Sequence, residues 1–204
     1  MKRCWRDRGE CRSASAYQGG LADSAAAIRR ENLMDMLRGR VWKYGSNINT
    51  DVIIPGRYCH ITDPEELAKY CMADLDPEFV NKVQRGDVIV AGANFGCGSS
   101  REVAPLSIKA SGTAAVVAPS FARIFYRNAI NMGFPIFESA EAFDQIDEGD
   151  EVEIDPSKGK IRDLTKGTEY QAAAFPDFLQ AIMARGGLRG YAEERLAEES
   201  APTS

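Results

Sequence analysis

The sequence predicts an α/β fold with a parallel or mixed central sheet, and three observations lead to this prediction. Apolar runs at residues 87–92, 114–118 and 134–138 have the length and composition of buried strands. Helical segments at residues 101–112 and 121–133 separate these runs. The resulting β–α–β–α–β order has connections long enough to cross over the sheet, which favours parallel strands.

One strand and two helices are predicted ahead of this unit. Residues 39–44 read as the first strand, followed by a polar loop at 45–51 and a short apolar run at 52–55. A helix over residues 63–72 opens with an aspartate as N-cap, a proline at the first helical position and acidic residues in the first turn. A second helix over residues 76–86 shows the same start signals and ends at a glycine.

A hairpin and a closing helix are predicted after the parallel unit. Residues 150–155 and 160–164 read as two strands joined by a tight turn, which is consistent with a mixed sheet. Residues 175–187 read as the closing helix.

The chain divides into a central domain and two flanking segments. Residues 1–36 show no sustained periodicity and no apolar signal-peptide core, and their acidic residues count against a transit peptide. We therefore expect a disordered extension there, with Met34 or Met36 as the actual start of the protein. Residues 37–187 form the predicted domain, and residues 188–204 form a charged, loosely held tail.

Composition and charge argue against several classes of function. With 204 residues, 44% of them hydrophobic and 27% charged, the chain is typical of a soluble protein of one domain or two small ones. Its net charge of -5 does not suggest a nucleic-acid partner. No apolar run approaches the roughly 18 residues that a membrane span needs.

The five cysteines and the single histidine, His60, restrict metal chemistry on this chain. The number of cysteines is odd and no two form a C-x-x-C pair, which argues against a disulfide framework and against a self-contained zinc or iron–sulfur site. One histidine cannot form a multi-histidine metal site. We therefore expect no metal on this chain and a reducing, cytoplasmic location.

The stretch 92–105, GANFGCGSSREVAP, lies where a predicted strand gives way to a predicted helix. One interpretation is structural, because the glycines permit a sharp turn and Ser99 with Glu102 fits a capping box. The other is functional, because a helix start presents unpaired N–H groups and Arg101 adds a guanidinium that matches a carboxylate. The spacing fits neither G-x-G-x-x-G nor a P-loop, which favours a carboxylate over a nucleotide phosphate.

Ser99 needs an activating group before it can act as a base or a nucleophile. His60 is the usual type of partner, but the chain has no G-x-S-x-G elbow and no clear acid to complete a triad, so a hydrolase is weakly supported. Amides at the helix start together with Arg101 are an alternative means of stabilising a charged serine oxygen.

Three stretches together are specific: NINTDVIIPGRY, NFGCGSSREVAP and SFARIFYRNAINMGFP. Over residues 38–185 the chain resembles the small-subunit family of 3-isopropylmalate dehydratase, equivalently the swivelling domain of the aconitase superfamily. The resemblance implies a β/β/α swivelling domain that closes over a large subunit, which holds a [4Fe–4S] cluster as the Lewis acid. It also implies isomerisation of 2-isopropylmalate and 3-isopropylmalate by dehydration and rehydration, a step in leucine biosynthesis.

The resemblance assigns roles residue by residue. Ser99 matches the family's catalytic serine, which removes the carbon-bound proton as an alkoxide, and Arg101 matches the arginine that binds a substrate carboxylate. Ser100, in the same turn, is a further candidate for contacting that carboxylate. Cys97 matches no cluster ligand, so we expect it to be a small buried filler.

Two departures from the family pattern bear on substrate binding. The family commonly has Asp-Thr-Asp where this chain has Asn49-Thr50-Asp51, which leaves Thr50 and Asp51 as candidate substrate-binding residues. In the second departure, Cys59 stands where the family commonly has leucine, and the two residues after it, the pair that tunes substrate choice, are His60 and Ile61. Ile61 suits a branched alkyl group, at roughly 0.8 kcal/mol per buried methylene. His60 either meets a carboxylate when protonated or packs within its loop when neutral.

Isopropylmalate is therefore the expected substrate, and homoaconitate, dimethylmalate or citraconate-type substrates are alternatives for the same type of reaction. A hypothesis from another class is a stand-alone module whose glycine-rich loop grips a small dicarboxylate without any chemistry. The enzyme hypothesis predicts activity that depends on a partner subunit, whereas the binding module predicts binding that does not.

Overall fold

The structure of the chain, a computed structural model, describes residues 36–200, with side chains through residue 197. The predicted N-terminal extension therefore lies outside the described residues except for Met36. The strands, in chain order, are β1 Leu37–Tyr44, β2 Val88–Ala91, β3 Ala115–Ala118, β4 Ile136–Glu138, β5 Glu151–Asp155, β6 Lys160–Asp163 and β7 Thr168–Gln171. The helices are α1 Thr50–Ile53, α2 Pro64–Ala68, α3 Phe79–Lys82, α4 Val103–Ala110, α5 Arg123–Asn131, α6 Ala140–Gln145, α7 Asp177–Ala184 and α8 Leu188–Ser200.

Within residues 36–200 the strands form one mixed sheet in the order β4-β3-β2-β1-β5-β6-β7. Strands β1 to β4 pair in parallel, with α4 connecting β2 to β3 and α5 connecting β3 to β4, and β5 to β7 form an antiparallel meander. The predicted β–α–β–α–β unit, the predicted hairpin and the mixed sheet are therefore confirmed.

Strand β1 joins the two halves of the sheet. Its first half pairs antiparallel with β5, with Leu37 opposite Ile154, and its second half pairs in parallel with β2, with Val41 opposite Val88. Each half of one strand thus serves a different neighbour, which explains how a parallel unit and an antiparallel meander share one sheet.

Burial follows from the position of each strand in the sheet. Every residue of β2 and β3 is buried, as expected for parallel strands that helices cover on both faces. Strand β5 instead alternates between buried and more exposed positions, as expected for an antiparallel strand with one face toward the core.

A buried carboxylate ties β1 to the turn before β2. Asp87 accepts hydrogen bonds from Trp42 Nε1 at 2.9 Å, from the Arg40 amide at 3.1 Å and from the Gln84 amide at 2.9 Å. Because Asp87 is 4% exposed, these three donors supply the partners that a buried charge requires.

Two predicted helices are shorter than the sequence indicated. The helix predicted over 63–72 starts at its predicted Asp63 cap but ends at Ala68, and the one predicted over 76–86 covers only Phe79–Lys82. After Ala68 the first helix passes into tighter turns, in which the amides of residues 69–71 donate to carbonyls three residues back. It cannot continue through Met72, whose φ is 59° and whose amide donates to the Ile53 carbonyl at 2.7 Å. A tertiary hydrogen bond therefore replaces the helical one.

Four elements were not predicted: α1, which begins within the predicted loop at 45–51, and α6, β7 and α8. Helix α6 has a side-chain cap, because Ser139 Oγ accepts from the Ala142 amide at 3.3 Å. Helix α8 lies where a loosely held tail was expected, and it packs on α7 through Phe178 and Tyr191, whose ring centroids are 5.9 Å apart. No helix in the described part of the chain is long and apolar enough to cross a membrane.

Candidate active site at the carboxyl edge of the parallel strands

The loops after β1 and β2 run side by side beyond the ends of their strands. The Gly96 amide donates to the Ile48 carbonyl at 2.7 Å, and the Thr50 amide donates to the Cys97 carbonyl at 2.8 Å. Since neighbouring parallel strands end at the same edge of a sheet, this pairing brings two distant sequence motifs together at the edge where α/β proteins bind ligands.

Glycine is required at two positions of the second loop. Gly96 has a φ of +75°, and a Cβ there would lie 2.2 Å from Cγ of the buried Phe125 ring. Gly98 has a φ of +91°, a conformation that L side chains rarely adopt. The glycines therefore shape the loop that carries Ser99, as the structural interpretation of the sequence predicted.

Ser99 and Ser100 are both exposed, ahead of helix α4 rather than within it. The helix begins at Val103, and its N-cap residue, Glu102, makes no capping hydrogen bond through its side chain. The predicted helix start at residue 101 and the predicted capping box between Ser99 and Glu102 are therefore wrong. Main-chain contacts with the first loop determine the local conformation instead, and they leave the Ser99 side chain at the surface.

Arg101 lies between the two loops. Its Nη2 forms an ion pair with Asp51 Oδ1 at 2.5 Å, and its Nη1 donates to the Ile54 carbonyl at 3.0 Å. A Cβ at Gly56 would lie 3.3 Å from Nη2, so a glycine leaves room for the guanidinium. The Arg101 side chain is 18% exposed. Because a guanidinium has five N–H donors, these two contacts leave donors for a substrate carboxylate.

The one-turn helix α1 holds the first loop in place. Asn49 caps it by accepting a hydrogen bond from the Val52 amide at 3.0 Å. Thr50 is 2% exposed, and its hydroxyl donates to the Ser99 carbonyl at 2.9 Å. This geometry differs from the predicted contact between Thr50 and substrate, because the hydroxyl is buried and already engaged. Asp51, by contrast, is 55% exposed and faces Arg101.

Comparisons with known proteins show where the chain belongs. Residues 21–140 match the family model of the aconitase C-terminal domain. The 3-isopropylmalate dehydratase small subunit of Caldanaerobacter subterraneus is 59% identical over 160 residues, which cover 78% of this chain and 99% of that protein. The small subunit of the same name from Lachnoclostridium phytofermentans is 61% identical over 158 residues, covering 78% and 96%. The chain belongs to the family of 3-isopropylmalate dehydratase small subunits.

A solved structure supports the same assignment. The crystal structure of 3-isopropylmalate dehydratase from Methanocaldococcus jannaschii superposes with a TM-score of 0.78 at 48% identity. The match covers 81% of this chain and 98% of that chain. The resemblance expected from the sequence motifs is therefore confirmed, and so is the fold that it implies.

The predicted specificity pair lies in the loop that follows the 3-10 turn at Gly56–Tyr58. His60 is exposed, whereas Ile61 is half-buried and packs against the core. The loop is held by Tyr58, whose ring stacks on Tyr70 with centroids 3.9 Å apart. The Arg101 guanidinium lies close to Gly56, 3.3 Å from where a Cβ would stand, so the specificity pair lies in a segment that runs on from the site.

The described residues of this family member include no group of three histidine, cysteine, aspartate or glutamate side chains that could hold a metal ion. Burial raises the pKa of the Cys71 thiol to about 12, so this cysteine stays protonated. Cys97 is half-buried rather than fully buried, and its carbonyl pairs with Thr50. Cysteine ligands for an iron–sulfur cluster therefore do not converge in residues 36–200.

Sequence reasoning missed the hydrogen bond from Arg101 to the Ile54 carbonyl and the space that Gly56 leaves for the guanidinium. The hydrogen bond ends on a main-chain carbonyl, which every residue type has, and the space comes from the absence of a side chain. Neither feature can therefore be recognised from the residue types near Arg101. The usable signal was topological, because both motifs follow neighbouring parallel strands and must therefore meet at one edge.

Proposed function

We propose that this chain is the small subunit of a heteromeric hydro-lyase that interconverts 2-isopropylmalate and 3-isopropylmalate by dehydration and rehydration, a step of leucine biosynthesis. The observation that carries the proposal is an exposed Ser99 in the same loop as Arg101, whose guanidinium is held by Asp51 and the Ile54 carbonyl. The names and the high identity of the relatives support the same reaction.

Ser99 acts as the base in this proposal. As an alkoxide, its Oγ takes the proton from the substrate carbon next to the one that loses its hydroxyl, and it returns a proton when water adds back. A serine oxygen is charged in this role only if a cation stabilises it, and we assign that task to Arg101, two residues further along the loop. The exposure of Ser99 supports this role, since the base must reach a substrate held outside the chain.

Arg101 binds a substrate carboxylate through the N–H groups that Asp51 and Ile54 leave available, and Ser100 contacts the same carboxylate. A guanidinium fork suits this task because it can donate two parallel hydrogen bonds to one carboxylate. Asp51 thus orients the arginine and borders the substrate site.

The partner is a large subunit that carries the [4Fe–4S] cluster, and the complex is cytoplasmic. When bound, such a cluster supplies a Lewis acid that polarises the departing hydroxyl group. Residues 36–200 of this chain do not fit the cluster as a ligand set, so its own contribution is limited to the base, the carboxylate site and the specificity loop.

Ile61 favours isopropylmalate, because its half-buried side chain adds apolar surface for the branched alkyl group. A second candidate, homoaconitase, is favoured by His60, whose exposed imidazole would meet an extra carboxylate when it is protonated. Dimethylmalate or citraconate hydratase would need the same base and carboxylate site. The stand-alone dicarboxylate-binding module is the non-enzymatic alternative.

The proposal is tested by mixing the purified chain with a cluster-bearing large subunit and assaying 3-isopropylmalate, homoaconitate, dimethylmalate and citraconate. We expect no turnover by the chain alone and preferred turnover of isopropylmalate by the complex. Ser99→Ala should lower kcat by about three orders of magnitude, while the exposed hairpin variant Ser157→Ala serves as the matched control. Arg101→Lys should mainly raise KM, because a point charge replaces a fork.

Three results would contradict the proposal. Full turnover by the isolated chain would show that no partner is needed. Near-normal turnover by Ser99→Ala would leave the serine with a purely structural place in the loop, and binding of dicarboxylates without turnover in any mixture would favour the binding module.

A further inference from the structure

Thr50 makes two hydrogen bonds to the loop that carries Ser99. Its amide donates to the Cys97 carbonyl at 2.8 Å, and its hydroxyl donates to the Ser99 carbonyl at 2.9 Å. Thr50 is 2% exposed, so both bonds are shielded from competition with water. Thr50 belongs to the loop after β1, whereas Ser99 belongs to the loop after β2. The hydroxyl of Thr50 therefore links two loops, and its acceptor is the main-chain carbonyl of the serine itself.

The loop needs such an anchor because its own conformation is permissive. Gly98 precedes Ser99 in a left-handed conformation, with a φ of +91°, and glycine there has many alternatives in the unrestrained chain. Residues 98–102 belong to no helix or strand, so no regular backbone ladder holds them. Ser99 and Ser100 are exposed, so side-chain packing contributes little to fixing them.

Thr50 is itself held firmly. It is the first residue of α1, which Asn49 caps, and its carbonyl accepts a hydrogen bond from the Ile54 amide at 3.0 Å. Ile53, on the same turn, is fully buried in the core. The next residue, Asp51, forms the ion pair with Arg101. One turn of helix therefore contacts both groups to which the proposed reaction is assigned.

We infer that Thr50 is a positioning residue: its hydroxyl holds the main chain of Ser99 so that the serine oxygen meets the substrate carbon, and it does not contact substrate. The inference rests on the proposed function for its effect on turnover, but the anchoring of the loop is a property of the chain itself. Because a displacement of about 1 Å in a reacting group can cost about 100-fold in rate, one buried hydrogen bond suffices to matter.

The test compares Thr50→Val, which removes the hydroxyl and nearly keeps the shape, with Thr50→Ser, which keeps the hydroxyl. Thr113→Val is the matched control, because Thr113 is 4% exposed, its hydroxyl lies 3.0 Å from Ser111 Oγ, and it precedes β3 at the opposite edge of the sheet. In the complex with the large subunit, Thr50→Val should lower kcat by about 10- to 100-fold with KM changed less than about threefold. Thr50→Ser and Thr113→Val should stay within about threefold of the wild type.

Hydrogen exchange on the full chain gives a second measurement that does not depend on the reaction. Amides of the peptide covering residues 96–102 should exchange about fivefold faster in Thr50→Val, as expected when a hydrogen bond of ordinary strength is lost. The same peptide should be unchanged in Thr50→Ser and in Thr113→Val. If Thr50→Val does not fold, Thr50→Ala replaces it, since alanine and serine at this position differ only by the hydroxyl.

The outcomes separate this inference from the proposed function. A wild-type complex without activity on isopropylmalate would overturn the proposed substrate, while exchange in the 96–102 peptide would still decide whether Thr50 anchors the loop. An active wild type with unchanged kcat in Thr50→Val would overturn the inference. So would a rise in KM alone, which indicates substrate contact, or an equal loss in Thr113→Val.

Discussion

Gly96→Ala should damage the site through a collision that the structure locates. A Cβ on Gly96 would lie 2.2, 2.4 and 2.5 Å from three atoms of the Phe125 side chain, closer than real Cβ contacts come. Phe125 is 1% exposed, and its ring packs edge-to-face with Phe95 at a centroid distance of 5.2 Å. The ring therefore cannot swing away, and the loop must move instead.

Two costs add up in this variant. A left-handed conformation costs a non-glycine residue about 1–2 kcal/mol, and overpacking a well-filled core costs about 1–3 kcal/mol. The expected loss in the free energy of unfolding is therefore about 2–5 kcal/mol. Gly167→Ala is the matched control, because Gly167 has a φ of +71° but nothing within 4 Å of its Cβ position. Gly167→Ala should therefore lose only the cost of the left-handed conformation, about 1–2 kcal/mol.

Urea unfolding of both variants measures the difference, which we expect to be about 1–3 kcal/mol. Turnover of the reconstituted complex should fall for Gly96→Ala, because the displaced loop carries Ser99, and should persist for Gly167→Ala. Equal destabilisation of the two variants would refute the reasoning, since it would mean that the Phe125 ring offers no resistance and that only backbone conformation matters.

Two further predictions concern stability. Asp87→Ala should lower the free energy of unfolding by about 2–4 kcal/mol, because it leaves the buried Trp42 N–H and two amides without their acceptor. Tryptophan fluorescence in urea measures this loss, and a change below about 0.5 kcal/mol would contradict the prediction. The hydrogen bond from Lys166 lowers the pKa of Asp147 below its ordinary value of 3.8, so the folded state gains stability above that value and loses it as the pH falls through the lowered pKa. Lys166→Met should therefore reduce the difference between urea midpoints measured at about pH 5 and about pH 3, and an unchanged difference would count against the pair.

The strands were predictable because burial on both faces demands continuous apolar runs, as in 87–92 and 114–118. The start of helix α4, after the loop that carries Ser99, was not predictable in this way. The pattern of Ser99 and Glu102 satisfies a local capping rule, yet the Ser99 carbonyl is held by Thr50 and the helix begins only at Val103. A bond between segments that are distant in sequence outweighed a local preference, and only the folded arrangement reveals that bond.

The predicted helix lengths were wrong for the same reason. The start of the helix at Asp63 follows from the cap and the proline, both of which act locally. After Ala68 the chain passes into tighter turns, and Met72, a fully buried residue whose amide pairs with Ile53, prevents the helix from resuming. Nothing in the residue type of a methionine predicts a left-handed conformation, so the end of the helix was beyond local reasoning.

Asn49 shows that the cap of α1 does not require the negative charge of an aspartate. Its side-chain oxygen caps α1 by accepting from the Val52 amide, and a neutral amide oxygen does this as well as a carboxylate. The charge that Arg101 meets in this turn comes instead from Asp51. Asparagine at position 49 therefore keeps the cap without placing a second carboxylate in this turn. The ion pair of the turn with Arg101 is made by Asp51, whose carboxylate lies 2.5 Å from Nη2.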